Sequence, residues 1–197
     1  MHTIERYFCP GEDTCLTDSI AEAVIKSTRK AALDCMKNPE DYNARANMMW
    51  ASSLAHNGLT QCGREFQLVV HQLEHEVSGM YPKVAHGAGL AALWCSWARY
   101  VYKANISRWL QYSANVWNLD IDYEHPEKTI ESAIDLQEQY YASLGMPVGL
   151  KALGVEESSL PKLALDCSRN KTRTLTGYKL LAYDDILAIY QMAYSRG

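Results

Sequence analysis

The sequence predicts an all-α fold, a bundle of eight or nine helices in one domain over residues 1–197. Three observations predict it. Apolar residues recur at helical spacing along most of the chain, and no stretch shows sustained period-two alternation. Helix starts and stops recur, at Thr17 or Asp18, Asn57-Gly58, His125-Pro126 and Leu144-Gly145. Apolar residues make up 48% of the chain and charged residues 21%, a balance that buries a full core in 197 residues.

The elements follow in order. HTIERYF has helical spacing at Ile4, Tyr7 and Phe8 but no cap before it, so it reads as the end of a helix. Cys9-Pro10-Gly11 stops it. Thr17 or Asp18 caps the next helix, which runs to about Met36 with Ile20, Ala23, Val24, Ser27, Ala31 and Cys35 on one face. The turn Asn38-Pro39-Glu40-Asp41 leads to a third helix over Tyr42 to His56, with Met48, Met49, Trp50 and Leu54 apolar and Asn57-Gly58 as its end. The fourth is expected from Arg64 to Ser78, with Phe66, Leu68, Val69, Val70 and Leu73 apolar, and the fifth from Val84 to Lys103. A sixth covers Ile106 to Trp117. The acidic LDIDYEH reads as a solvated connector, and a seventh runs from His125-Pro126 to Leu144. After the loop GMPVGLKALGV, Ser158 or Ser159 caps an eighth to Cys167. The polar SRNKTRTLTGYK is loop, and Asp184 caps the last helix, ILAIYQMAY.

Composition excludes several classes. The formal net charge is −4 and no basic run occurs, which argues against a nucleic-acid partner. The longest apolar stretch, LAALWCSWARYVYK, is broken by Arg99 and Lys103, so neither a membrane span nor a membrane partner is expected. No signal peptide is recognisable in MHTIERYF. Six cysteines lie apart with no CxxC pair, which predicts reduced, mostly buried thiols and a cytoplasmic location.

The chemistry concentrates between His71 and Gly89, HQLEHEVSGMYPKVAHGAG. His71 and His75, four apart, share one helix face. After a break at Ser78, Gly79, Tyr81 and Pro82, His86 opens a second helix with Gly87 and Gly89 in its first turn, where small residues admit a ligand or a neighbouring backbone. Three converging imidazoles suit Fe²⁺ or Zn²⁺. Spacing alone fits equally well histidines hydrogen-bonded in a structural helical module. His71-Gln72-Leu73-Glu74-His75 also fits H-x-x-E-H, which would make His71 and His75 zinc ligands and Glu74 the general base of a hydrolase, with Glu131 or Glu138 as a further ligand.

HQLEHEVSGMYPKVAHGAGLAAL resembles the second signature of the iron-containing (group III) alcohol dehydrogenases, in the butanol dehydrogenase-like branch. MHTIERYF resembles that family's D-x-x-x-H-T-x-E-x-Y helix. NPEDYNARANMMWASSLAHNGL, WLQYSANVWN and LGMPVGLKALGVEESSLP resemble later segments in the same order. The resemblance covers essentially the whole chain and the C-terminal half of the family, whose fold is the dehydroquinate synthase-like helical domain.

It implies roles. His2, His71 and His86 match the three histidines that, with an Asp, hold one iron or zinc. His75 matches a histidine near the nicotinamide and substrate, hence a catalytic and cofactor-binding residue, and Glu74 becomes a solvated acid or one that supports a ligand. The implied reaction is NAD(P)-dependent oxidation of a small alcohol or reduction of an aldehyde. The family's Asp would precede Met1, and no strand followed by a glycine-rich phosphate turn occurs. The expectation is therefore a truncated, metal-binding C-terminal domain without the nucleotide-binding domain. It would be inactive alone, its metal weakened by the loss of one ligand, and a homodimer is the candidate assembly.

Overall fold

Helix α5 is the element on which the others pack. Its run GLAALWCSWA is apolar all round, and a helix of that kind must be surrounded on every side. In the computed structural model, which describes residues 1–11 and 13–196, α5 spans His86–Val101 and buries ten consecutive residues, Gly89 to Ala98. The other helices among the described residues are α1 (His2–Tyr7), α2 (Cys15–Lys37), α3 (Tyr42–His56), α4 (Val69–Met80), α6 (Ile106–Trp117), α7 (Pro126–Ser143), α8 (Leu160–Cys167) and α9 (Tyr183–Ser195). They pair along the chain, α2 on α3, α4 on α5, α6 on α7 and α8 on α9, while α5 also touches α7 and α9. The described residues hold no sheet, only two isolated bridges at Gly11–Arg64 and Leu175–Leu181. None of their helices is long and apolar enough to cross a membrane.

The N-terminal helix is short but firmly seated. Ile4, Tyr7 and Phe8 are buried, and Phe8 stacks on Trp109 at 3.9 Å between ring centroids. Trp94, Trp97 and Tyr112 complete this aromatic cluster. Large aromatic surfaces packed in tilted and offset pairs add to the area they remove from water.

Expectations for α4, α2 and α9 need correction. Helix α4 begins at Val69 rather than Arg64, and Phe66 is exposed. Helix α2 begins at Cys15, so Thr17 and Asp18 are buried inside the helix instead of capping it. Its inner face carries Asp18, Ala21, Glu22, Val24 and Ile25, whereas Ala23 and Ser27 point outward. The displaced register has a polar cause. Asp18 and Glu22 are drawn inward by Arg64, Arg108, Tyr7 and Gln111, and a stripe counted on apolar residues alone misses such a face. On α3, Met49 and Trp50 are exposed and only Ala44 and Ala51 are buried. At α9, Asp185 rather than Asp184 caps, accepting the Ala182 N–H at 3.0 Å. The six cysteines are free thiols, and three of them, Cys9, Cys95 and Cys167, are buried.

Candidate metal centre

Three helices deliver one imidazole each to a common point. His2 stands in the first turn of α1, His71 in the first turn of α4, and His86 at the first position of α5. Their nearest ring nitrogens all lie within 4.8 Å of one another. Ring centroids are 4.3 Å apart for His2 and His71, 5.1 Å for His71 and His86, and 6.1 Å for His2 and His86. The 68 intervening residues return to α1 because Phe8 and Tyr7 anchor it to α6 while α4 packs on α5.

The donor set fits a divalent first-row ion. Nδ1 of His71 is paired with the Glu5 carboxylate, and Nδ1 of His86 with the Glu74 carboxylate. Nε2 of His71 is buried and has no hydrogen-bond partner. An orphaned sp² nitrogen facing two other imidazoles is what a ligand lacking its ion presents. Its Nδ1 partner is the acidic group that metal-ligating histidines commonly hold on their outer side.

His75 is exposed, its ring centroid 5.5 Å from that of His86 and 6.1 Å from that of His71. It groups with Glu74 and His86, and His71 and His75 do not fall in one ligand group among the described residues. The hydrolase geometry, with both histidines of H-x-x-E-H on one ion, is therefore not what the helix presents. Glu74 is fully buried and bonded to Ser78 and His86, so it is not a solvated acid. Glu131 accepts from Tyr102, and Glu138 pairs with Arg99 and Arg196, away from the histidines.

Gly89 explains one of the two glycines after His86. A Cβ there would lie 2.6 Å from Glu74 Oε1 and 2.7 Å from its Cγ, so the missing side chain is the space Glu74 occupies. Gly87 has nothing within 4 Å of its Cβ position and lines a cavity of about 500 Å³ beside His2, His56 and His86. Two contributors have no signal in spacing. His56 ends α3 with its ring centroid 4.1 Å from that of His2. Glu5 sits three residues after His2, and its role is visible only once α4 is placed beside it.

Burial pushes the His2 imidazole down to about 3 from its ordinary 6.5, and the nearby His71 and His56 rings add to this. At neutral pH the ring is therefore neutral and able to ligate. Between 6.5 and about 3 the unfolded chain binds a proton at His2 that the folded chain does not, so stability rises with pH across that window and is lost as the solution is acidified. In metal-free protein, the urea midpoint is expected to fall more steeply below neutral pH than it does in His2→Gln. Parallel pH profiles for the two proteins would contradict this.

A helical domain that gathers three imidazoles from separate helices has the donor set of a candidate metal centre. Comparison with known proteins gives the particular family. The profile of the Fe-containing alcohol dehydrogenase family, C-terminal, matches residues 1–194, and the chain belongs to that family. It is 36% identical over 194 residues to NADH-dependent butanol dehydrogenase A of Clostridium acetobutylicum, across 98% of this chain and 49% of that protein. It is 32% identical to the NADPH-dependent aldehyde reductase YqhD of Escherichia coli, across 83% of this chain and 41% of that protein. The structure of that reductase superposes with a TM-score of 0.89 at 28% identity, covering 98% of this chain and 50% of the other. NADH-dependent butanol dehydrogenase A of Thermotoga maritima gives the same TM-score, 0.89, also at 28% identity, covering 98% of this chain and 49% of the other. The chain thus spans about half the length of these relatives.

Proposed function

We propose that this chain is the metal-holding half of an NAD(P)-dependent alcohol dehydrogenase or aldehyde reductase. The observation that carries the reading is the convergence of His2, His71 and His86 from three helices, with the His71 Nε2 left free. Iron or zinc held there would supply Lewis-acid polarisation of an alcohol or carbonyl oxygen. The three residues would ligate as neutral imidazoles, which add no negative charge and so favour a substrate oxygen that is gaining it. His75, exposed beside His86, is assigned to the nicotinamide and substrate side, where its ring passes a proton between the substrate oxygen and solvent. Family membership and the names of the relatives, butanol dehydrogenases and an aldehyde reductase, support a small alcohol or aldehyde as substrate. Free thiols at all six cysteines suit a reducing cytoplasm.

Fused to the N-terminal half of the Clostridium butanol dehydrogenase A, the chain is expected to support butanol-dependent NADH formation, and His86→Ala to abolish it. A chimera that folds and binds NADH yet stays silent with butanol and butyraldehyde would contradict the proposal. The purified chain alone is expected to form no NAD(P)H from alcohol, because its described residues hold no parallel sheet with a glycine-rich phosphate turn. Formation of NAD(P)H by the isolated chain would refute that expectation.

A further inference from the structure

We infer that Glu5 and Glu74 set the ring tautomers of His71 and His86, and that only Glu5 is locked in its hydrogen-bond direction. The inference rests on reading His71 and His86 as ligands. A neutral imidazole carries one N–H, and an ionised carboxylate only accepts. A carboxylate at Nδ1 therefore places the N–H on Nδ1 and leaves the lone pair on Nε2. Both rings have this arrangement, through Glu5 for His71 and Glu74 for His86. Neither acid is solvated, at 2% and 0% exposure.

The two acids differ in what holds their other oxygen. Glu5 Oε1 accepts from the backbone N–H of Val70 at 2.7 Å and of His71 at 3.4 Å. These are first-turn donors of α4, a helix with no side-chain cap of its own. Glu5 thus caps α4 from a distant helix while its second oxygen faces the His71 ring. A backbone N–H can only donate, so this pattern cannot be reversed. Glu74 Oε1 instead accepts from the Ser78 hydroxyl, and a hydroxyl can turn and accept.

Glutamine at each position separates the two cases. In Glu5→Gln the amide oxygen must stay on the Val70 N–H. The amide nitrogen then donates to His71 Nδ1, and the ring's own N–H moves to Nε2, where it blocks ligation. In Glu74→Gln the Ser78 hydroxyl reverses, the amide oxygen faces His86, and the tautomer is kept.

Long-range ¹H–¹⁵N NMR of the metal-free chain reads the tautomers. Competition with a chromophoric chelator reads Zn²⁺ affinity. In wild type, His71 and His86 are expected as Nδ1–H tautomers. Glu5→Gln is expected to switch His71 to Nε2–H and weaken Zn²⁺ binding about 10–100-fold, the usual cost of an altered outer partner, with Glu74→Gln weakening it less than Glu5→Gln does. An Nε2–H tautomer at His71 or His86 in wild type overturns the inference, even if Glu5→Gln fails to fold. So does an unswitched His71 in folded Glu5→Gln, or equal Zn²⁺ affinities for the two variants. If wild type takes up no Zn²⁺, the ligand reading fails by itself, and the NMR result still decides the tautomer inference.

Discussion

His71→Ala is expected to abolish metal uptake by this chain while leaving its helix content intact. His71 is the central member of the cluster, 4.3 Å from His2 and 5.1 Å from His86 between ring centroids, and it is the buried one, at 6% exposure. Altering an outer partner of a ligand costs about 10–100-fold in affinity, so deleting the ligand itself costs more than about 100-fold. The fold tolerates the change because Glu5 keeps its two backbone donors at Val70 and residue 71, so the carboxylate is not stranded. His75→Ala is the matched control: one helical turn away and exposed, it is expected to leave affinity nearly unchanged. Isothermal titration with Zn²⁺ distinguishes the two variants. If His75→Ala loses the metal and His71→Ala keeps it, the ligand assignment is wrong.

Arg108→Ala is expected to be the most destabilising single substitution outside the aromatic core. The Arg108 guanidinium lies 3.7 Å over the Tyr7 ring and donates to the Tyr7 carbonyl through Nε at 2.9 Å and Nη2 at 2.6 Å. It also pairs with both oxygens of Asp18. Arg64 reaches the same carbonyl at 2.7 Å and the same carboxylate, and Tyr7 in turn donates to Glu22 at 2.8 Å. Two cations and two anions thus lock α1, α2, α6 and the segment before α4 together. Breaking one partner of a buried pair costs about 3–5 kcal/mol, and Arg64 and Gln111 still face Asp18, so the low end, about 3 kcal/mol, is expected. Arg108→Lys recovers part of it, since an ammonium cannot span three acceptors as a planar fork does. Disrupting the exposed Lys30–Asp34 pair should change nothing measurable. Urea unfolding of the three variants is the test, and equal midpoints for Arg108→Ala and the Lys30 variant would contradict the account. Because α1 carries His2 and Glu5, Arg108→Ala should weaken metal binding as well.

How much of this was legible in the sequence depended on whether its cause was local. The bounds of α3 and α6 coincide with the expected Tyr42–His56 and Ile106–Trp117, because Asp41 and Asn105 cap those helices through their own side chains. The start of α4 was not legible. Its cap is Glu5, which is 65 residues away in the chain, and no pattern near Arg64 marks it. The same holds for the site. Spacing put His71 and His75 on one face within reach of His86 and left open which of them is a ligand. The tertiary structure groups His71 with His2 and His86, and His75 with Glu74 and His86. Family resemblance supplied what spacing lacked, namely that the histidine at the chain's second position belongs with those at 71 and 86. His56 beside His2 had no signal of either kind.

X-ray absorption at the zinc edge of the Zn²⁺-loaded chain tests the central claim most directly. The account predicts one ion per chain with three imidazole nitrogens at about 2.0–2.1 Å, falling to two in His2→Ala and staying at three in His75→Ala. An imidazole count that drops in His75→Ala and not in His2→Ala would contradict it, as would a chain that retains no zinc at all.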